Sequence, residues 1–148
     1  MTIYFYSTSN EFFEFSNFSE HGFTLKNKYW TTVEHYFQAQ KFPGHSQEER
    51  IRIAKSPGKA KQLGRTRSVP LRPDWETVKD DIMREAVLAK FRAYDDLKKR
   101  LLDTGNNKLV EKAPKDYYWG CGKDGTGKNM LGKILMETRE ILRQEQEA

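Results

Sequence analysis

The sequence predicts a mainly α, helix-rich α+β fold: one compact domain over residues 1–148, with short β elements near the N-terminus. Three observations support this prediction. A chain of 148 residues suits one domain that buries roughly two thirds of its unfolded surface. Helix-start signals and apolar stripes at helical spacing follow one another from Thr31 onward. Segments of strand composition are few and short, so helices dominate the expected fold.

Short aromatic and β-branched segments predict the strands. Residues 2–6 form the first, and residues 23–30 alternate around a Lys-Asn-Lys turn. A further short strand is predicted within residues 107–112. We therefore expect small β elements near the start of the chain and one before the Tyr-Tyr-Trp sequence.

Capping signals predict the first three helices. A capping box pairs a hydroxyl with a carboxylate three residues later, and a Ser-Pro pair places a cap before a proline at the first helical position. The third helix is expected to end near Leu63. The pairs that carry these signals are Thr31 with Glu34, Ser46 with Glu49, and Ser56 with Pro57.

Apolar stripes predict the remaining helices. Asp74 is suited to cap a long fourth helix, and residues 95–104 continue helically until a stop at Gly105. The last helix is expected from about Asn129. The stripe of the fourth helix is Trp75, Val78, Ile82, Ala86 and Ala89, and that of the last is Leu131, Ile134, Leu135, Thr138 and Leu142.

Composition narrows the class of protein. The single cysteine, Cys121, permits no intrachain disulfide, and no Cys/His cluster has zinc spacing. No apolar segment approaches the ~18 residues of a membrane span, and the N-terminus lacks a signal-peptide pattern. We expect a soluble cytoplasmic protein with no metal site and no membrane partner.

Much of the net charge of +5 lies in one segment. Between residues 55 and 72 there is no acidic residue, which predicts attraction for an anion. That anion could be a polymer, a phosphorylated metabolite or only solvent ions. The basic residues of this segment are Lys55, Lys59, Lys61, Arg65, Arg67 and Arg72.

Polar side chains recur at helical spacing within residues 31–41. Glu34, Gln38 and Lys41 stand at i, i+4 and i+7, so a helix would place them on one stripe among aromatic side chains. A carboxylate, an amide and an ammonium group framed by rings are typical of a pocket for a small polar ligand. Alternatively, Glu34 serves only as a capping partner of Thr31.

Several neighbouring side chains have simpler structural interpretations. His35 points about 100° away from Glu34 around a helix and is expected to be a hydrogen-bonded structural residue. Four aromatic residues are expected in the core or at its rim, although a planar heterocycle would need one or two of them as stacking faces. They are Phe18, Trp30, Tyr36 and Trp75.

A second segment, residues 116–129, combines a carboxylate, adjacent aromatic residues and several glycines. The glycines would let a ligand approach the main chain, and the helix expected from Asn129 would present free backbone N–H groups to a phosphate. A flexible loop ended by a helix cap is the alternative. Residues 122–128 approach a P-loop, but Asn129 replaces the Ser or Thr that binds magnesium, so a nucleotide triphosphatase is disfavoured.

Five motifs, in order along nearly the whole chain, resemble the NADAR, or YbiA-like, family. They are Phe-Tyr-Ser-Thr-Ser at 5–9, Phe-Ser-Asn-Phe at 15–18, Glu-His-Tyr-Phe-Gln-Ala-Gln-Lys at 34–41, Arg-Ser-x-Pro-Leu-Arg at 67–72, and Tyr-Trp-Gly-x-Gly with Gly-x-Gly-Lys-Asn at 118–129. The resemblance implies a helix-dominated N-glycosidase. The members it resembles most cleave phosphoribosylamino-pyrimidine intermediates of riboflavin synthesis and release ribose 5-phosphate, whereas other branches are associated with ADP-ribose.

The resemblance also implies roles for individual residues. The acidic residues of its motifs fall on Glu34 and Asp116, which are expected to be catalytic. Cys121 stands where similar proteins tend to have Asp, which would change substrate preference if that Asp contacts ligand. The expected substrate-binding residues are Ser16, Asn17, Phe18, Gln38, Lys41, Trp119, Gly120 and Asn129.

The expected reaction is hydrolysis of a C1′–N bond, which builds positive charge on the sugar. Glu34 would orient or deprotonate water or stabilise the ring, and Asp116 would hold ribose hydroxyls or assist protonation of the leaving group. Trp119, with Phe18 as a second candidate, would stack on the base, and Lys41 or the basic segment would bind phosphate. This chemistry requires no cofactor.

Two alternatives stay open alongside a small phosphorylated riboside as the partner. The first is an ADP-ribosyl N-glycosidase that removes ADP-ribose from a modified base or protein, which makes an ADP-ribosylated nucleic acid a possible partner. The second is a non-catalytic ADP-ribose or nucleic-acid binding module, in which aromatic side chains stack and basic ones follow the phosphates. The sequence leaves the oligomeric state open.

Overall fold

Helices make up most of the structure, a computed structural model that describes residues 1–8 and 11–148. This confirms the predicted mainly helical fold with short strands. Ser9, the last residue of the first family motif, lies outside the described residues. Two units are distinguished: the first unit contains Met1–Ser19 and Phe91–Ala148, and the second contains Glu20–Lys90. The existence of one domain over residues 1–148 stays a prediction.

The first unit is built on a two-stranded parallel sheet. Strand β1, Thr2–Phe5, pairs with β4, Lys108–Glu111, in the register that places Ile3 opposite Leu109. Ile3 and Leu109 are buried, so the sheet has an apolar face. Both strands confirm the predictions made for residues 2–6 and 107–112, with slightly shorter bounds.

Helices α5, Asp95–Leu102, and α6, Met130–Glu147, complete the first unit together with a short 3₁₀ helix at Phe13–Phe15. Gly105 has φ +63 and ends the segment after α5, as predicted. The whole predicted stripe of α6 is buried, which confirms its period.

The second unit begins with the antiparallel strands β2, Phe23–Leu25, and β3, Lys28–Trp30. Lys26 and Asn27 connect them with φ values of 55 and 63, the left-handed pair of a tight hairpin turn. Trp30 is buried and its indole Nε1–H donates to the Leu25 carbonyl oxygen at 2.9 Å. The predicted turn is thereby confirmed.

Three short helices follow: α1, Val33–Ala39; α2, Ser46–Arg52; and α3, Pro57–Gly64. For α3 the prediction is confirmed, since Ser56 Oγ accepts from the backbone N–H of Lys59 at 3.0 Å.

The capping boxes predicted for α1 and α2 are wrong. Thr32, not Thr31, caps α1, and its Oγ1 accepts from the backbone N–H of His35 at 3.1 Å. His45 caps α2 through Nδ1, so Ser46 is the first helical residue rather than the cap. Each helix begins close to the predicted place, but a neighbouring side chain supplies the hydrogen bond.

Helix α4, Trp75–Arg92, begins directly after Asp74, as predicted. The Asp74 carboxylate binds the Arg72 guanidinium, with Nε to Oδ1 at 2.6 Å. Of the predicted stripe, Trp75, Ile82 and Ala86 are buried, whereas the other two members are half-buried. Within the described residues, no helix is both long and apolar enough to span a membrane.

Candidate active site

Helix α1 brings together Glu34 and Gln38, and both side chains are buried. Gln38 Nε2 donates to Glu34 Oε2 at 2.7 Å. The prediction that Glu34 is a capping partner of Thr31 is wrong, because Thr32 caps the helix with the N–H of His35. The carboxylate is thus held by an amide one helical turn further along α1.

Gln38 leaves one polar atom unmatched. Its Oε1 is buried and has no hydrogen-bond partner among residues 1–8 and 11–148. Gly64, at the end of α3, lies against the same amide: a Cβ atom placed on Gly64 would lie 2.0 Å from Oε1. Buried polar atoms are nearly always hydrogen-bonded, so this oxygen is an exception. The amide is held by its bond to Glu34 and by packing against α3.

Lys41 lies just beyond α1, not within it as the predicted stripe had placed it. It is half-buried, and its Nζ donates to the Gly64 carbonyl oxygen at 3.5 Å. Nζ also lies 5.7 Å from the ring centroid of Trp75. We refer to Glu34, Gln38, Lys41 and Gly64 as the α1–α3 cluster.

Burial and neighbouring charges strongly perturb Lys41. Burial lowers its pKa to about 8, opposed by the Glu34 carboxylate and reinforced by three neighbouring cations. These cations are Arg67, Arg65 and Lys61. Arg72, at the end of the basic segment, is bound to Lys41, because its backbone N–H donates to the Lys41 carbonyl oxygen at 3.1 Å. A half-buried ammonium group near other cations is suited to bind phosphate.

His35 is structural, as predicted. Its Nε2–H donates to the Ala54 carbonyl oxygen at 2.9 Å, so Nδ1 is the acceptor for the Thr32 hydroxyl at 2.8 Å. Burial lowers its pKa below 6.5, opposed by the Ala54 hydrogen bond and the Glu20 carboxylate. Both ring nitrogens are therefore committed to the fold in the neutral form.

In the first unit, Asp116 organises residues 116–129, which we call the glycine loop. Its Oδ1 accepts from the backbone N–H groups of Tyr118 at 3.0 Å and Trp119 at 2.8 Å. Trp119 is half-buried and its ring meets that of Tyr118 edge to face, with centroids 4.8 Å apart. Asp116 thus holds the backbone of Trp119 beside it, whereas the roles of both residues toward a substrate stay predictions.

The prediction of a phosphate site at the start of α6 is wrong. The backbone N–H of Met130 donates to the Tyr118 carbonyl oxygen at 2.9 Å, and that of Leu131 to the Trp119 carbonyl oxygen at 3.0 Å. The loop folds back onto the helix and uses the groups that a phosphate would need. Gly120 belongs to the same fold-back, since its carbonyl oxygen accepts from the Asn129 N–H at 3.0 Å.

Asn129 connects the glycine loop to β4. It has φ 53, its Oδ1 accepts from the Glu111 N–H at 2.9 Å, and its Nδ2 donates to the Leu109 carbonyl oxygen at 2.9 Å. The side-chain amide therefore acts as a backbone partner for the edge of the sheet. Substrate binding by Asn129 stays a prediction, and these contacts favour a structural role.

The Ser-Asn-Phe motif follows the 3₁₀ helix. Ser16 and Asn17 are buried, and Ser16 Oγ accepts from the Phe18 backbone N–H at 3.1 Å. Phe18 is half-buried. The motif is ordered by its own turn, and its contact with substrate stays a prediction.

The predicted catalytic pair divides between the units. Glu34 belongs to the second and Asp116 to the first, so their convergence on one sugar stays a prediction. Sequence reasoning missed Gly64, which lies just past the predicted end of the third helix and is the last residue of α3 in the structure. Within residues 1–8 and 11–148, no group of three or more His, Cys, Asp or Glu residues is arranged to hold a metal ion.

Known proteins are similar to this chain over nearly its whole length. The NADAR domain family matches residues 4–143. An N-glycosidase of Nostoc punctiforme is 49% identical over 97% of this chain and 94% of its own length. The NMR structure of Escherichia coli YbiA, a protein named N-glycosidase, has TM-score 0.91 and 49% identity, and the match covers 99% of this chain and 87% of that one. The chloroplastic riboflavin biosynthesis protein PYRR of Zea mays is 42% identical over 95% of this chain and 25% of its own length.

Proposed function

Since this chain belongs to the NADAR family, as its motifs predicted, and is an N-glycosidase, we propose that it acts on phosphoribosylamino-pyrimidine intermediates of riboflavin synthesis. It hydrolyses their C1′–N bond and releases ribose 5-phosphate and the free aminopyrimidine. The observation that carries this proposal is the α1–α3 cluster, in which a buried carboxylate and a half-buried ammonium group interact. A riboside phosphate requires both: negative charge for the sugar and positive charge for the phosphate.

Glu34 is the catalytic carboxylate in this proposal. The oxygen of a water molecule bonds to C1′ while the C1′–N bond breaks and its electron pair moves to the nitrogen. Glu34 accepts the proton that the water loses, and the leaving nitrogen takes up a proton from solvent, so that one water molecule is added overall. The carboxylate also stabilises the oxocarbenium-like ring, and the bond from Gln38 Nε2 keeps it in place for both tasks.

Asp116 is assigned to the ribose hydroxyls. Two backbone N–H groups hold Oδ1, so Oδ2 is the oxygen left to accept a bond from substrate. Trp119, fixed by the same carboxylate, offers a half-buried indole against which a pyrimidine would stack.

The phosphate group is assigned to Lys41 and the basic segment. Burial lowers the pKa of Lys41 most, and Arg67, Arg65 and Lys61 lower it further, against the opposing effect of Glu34. A dianionic phosphate offsets the three cations and stabilises the protonated lysine. Binding of phosphate and protonation of Lys41 are therefore coupled.

The test is release of ribose 5-phosphate from the aminopyrimidine ribotide by purified protein. Glu34→Ala and Glu34→Gln should lower kcat by ~100-fold or more, because neither side chain accepts a proton from water. Glu76→Ala removes an exposed carboxylate that pairs with Lys79 and serves as the matched control with unchanged activity. Full activity of the Glu34 variants would refute the catalytic role, and an inactive wild type would refute the substrate.

A further inference from the structure

Gly64 packs against the polar side of α1 more closely than any other residue type would allow. A Cβ atom on Gly64 would lie 2.0 Å from Oε1, 2.8 Å from Cδ and 2.9 Å from Cβ of Gln38. Because packed atoms do not approach this closely, a side chain at position 64 would displace the Gln38 amide.

The backbone does not explain this glycine. Gly64 lies within α3 and is not among the described glycines with positive φ. In a helix, alanine is more favourable than glycine by roughly 1 kcal/mol. The glycine is therefore required by the Gln38 side chain and not by its own conformation.

Gln38 connects Gly64 to the carboxylate of Glu34. Its Nε2 donates to Glu34 Oε2 at 2.7 Å, whereas its buried Oε1 has no hydrogen-bond partner within the described residues. One end of the amide is bonded to the carboxylate and the other is held by packing against α3. The Gly64 carbonyl oxygen also accepts a hydrogen bond from Lys41 Nζ at 3.5 Å, so one residue of α3 contacts two residues that interact with Glu34.

We propose that Gly64 is a positioning residue of the hydrolase. Because Gly64 has no side chain, the Gln38 amide can keep the orientation in which it fixes the Glu34 carboxylate. Gly64 acts through Gln38 and does not contact the reacting atoms. The inference rests on the proposed function for the catalytic role of Glu34.

The matched pair Gly64→Ala and Gly58→Ala tests it. Both glycines lie in α3, but a Cβ on Gly58 would meet only Ser56 Oγ, at 3.9 Å. Gly64→Ala should lower kcat by up to about 100-fold with KM within about twofold, because a displaced carboxylate affects the transition state more than substrate binding. Gly58→Ala should retain both constants. Unchanged kcat in Gly64→Ala, or an equal loss in Gly58→Ala, would overturn the inference.

A double-mutant cycle separates positioning from general damage to the fold. If Gly64 acts through Gln38, Gly64→Ala should reduce kcat by less than about twofold in a Gln38→Ala background. An equal loss in both backgrounds contradicts the link. If Gly64→Ala alone does not fold, Gln38→Ala should restore folding, since it removes two of the three close contacts. Continued unfolding of the double variant also overturns the inference.

NMR of the Gln38 side-chain amide gives a result that does not depend on turnover. Its NH₂ signals should move in Gly64→Ala and in Glu34→Ala, and should stay in place in Gly58→Ala. Unmoved signals in Gly64→Ala refute the positioning role. A wild type that releases no ribose 5-phosphate while these signals respond as expected refutes the proposed substrate instead.

Discussion

The α1–α3 cluster and the glycine loop are both rich in polar groups, but they use them differently. In the cluster, Gln38 Oε1 has no hydrogen-bond partner among the described residues, and the pKa of Lys41 is lowered to about 8. In the glycine loop, Asp116 and Asn129 bond to the backbone, and the first N–H groups of α6 bond to loop carbonyls.

This difference indicates which region has a structural role and which has a catalytic one. A polar group left unmatched in a folded protein costs free energy, so its retention points to a function. Among the described residues, no buried side-chain polar atom of the glycine loop is without a hydrogen-bond partner. We infer that the loop sets the position of Trp119 and Asp116, whereas the cluster carries reactive charge.

The largest expected effect tests the loop's structural role. Asn129→Ala should lower the free energy of unfolding by about 2–4 kcal/mol, because it leaves the Leu109 carbonyl and the Glu111 N–H without their partner and puts alanine at a left-handed φ. Urea unfolding followed by circular dichroism measures it.

A control for Asn129 comes from the same loop. Thr126→Ala removes only an exposed hydroxyl that binds Asp124 and should change stability by less than about 0.5 kcal/mol. If Asn129→Ala had normal stability and a raised KM, Asn129 would be a ligand-binding residue and not a structural one. The glycine loop would then differ less from the α1–α3 cluster.

The next effect tests the reactive side of the contrast through Lys41. With its pKa lowered to about 8, Lys41 loses its charge as the pH rises through 8, well before an ordinary lysine. Affinity for ribose 5-phosphate should therefore fall by roughly tenfold between pH 7 and pH 9. Isothermal titration calorimetry across that range gives the profile.

Lys41→Arg is the conservative control for this profile. A guanidinium stays protonated throughout, so the affinity of the variant should be flat between pH 7 and pH 9. A wild-type profile that is also flat would show that Lys41 does not bind the phosphate. The cluster would then lack one of its two proposed charges.

Local sequence signals predicted most of the fold. Ser56 and Pro57 fixed the start of α3, because a cap and a proline act on neighbouring backbone groups. The start of α1 was displaced by one residue because Thr31 and Thr32 are both good caps. Thr32 is bonded by both the N–H and the ring of His35, and that ring is in turn held by the Ala54 carbonyl oxygen, a contact from outside the helix.

The candidate site was predictable only where its residues share a helix. Glu34 and Gln38 lie one turn apart, so their contact follows from helix geometry. Gly64 reaches Gln38 from another helix, and the carbonyls that bind the N–H groups of α6 come from a loop that folds back. Such contacts depend on tertiary packing, which no local signal specifies.

The smallest expected effect concerns His35, a neighbour of Glu34 whose ring nitrogens both have partners. Its pKa in the folded protein is below 6.5, so the unfolded chain takes up a proton first as the pH falls. Stability contributed by neutral His35 is thus present above pH 6.5 and lost below it, by up to about 1.4 kcal/mol per pH unit. Urea unfolding between pH 5 and pH 7.5 should show this slope. His35→Gln keeps a donor for the Ala54 carbonyl but does not titrate, so its slope should be smaller. Equal slopes would mean that His35 is not held neutral by the fold. It could then not be contrasted, as a structural residue, with the reactive residues of α1.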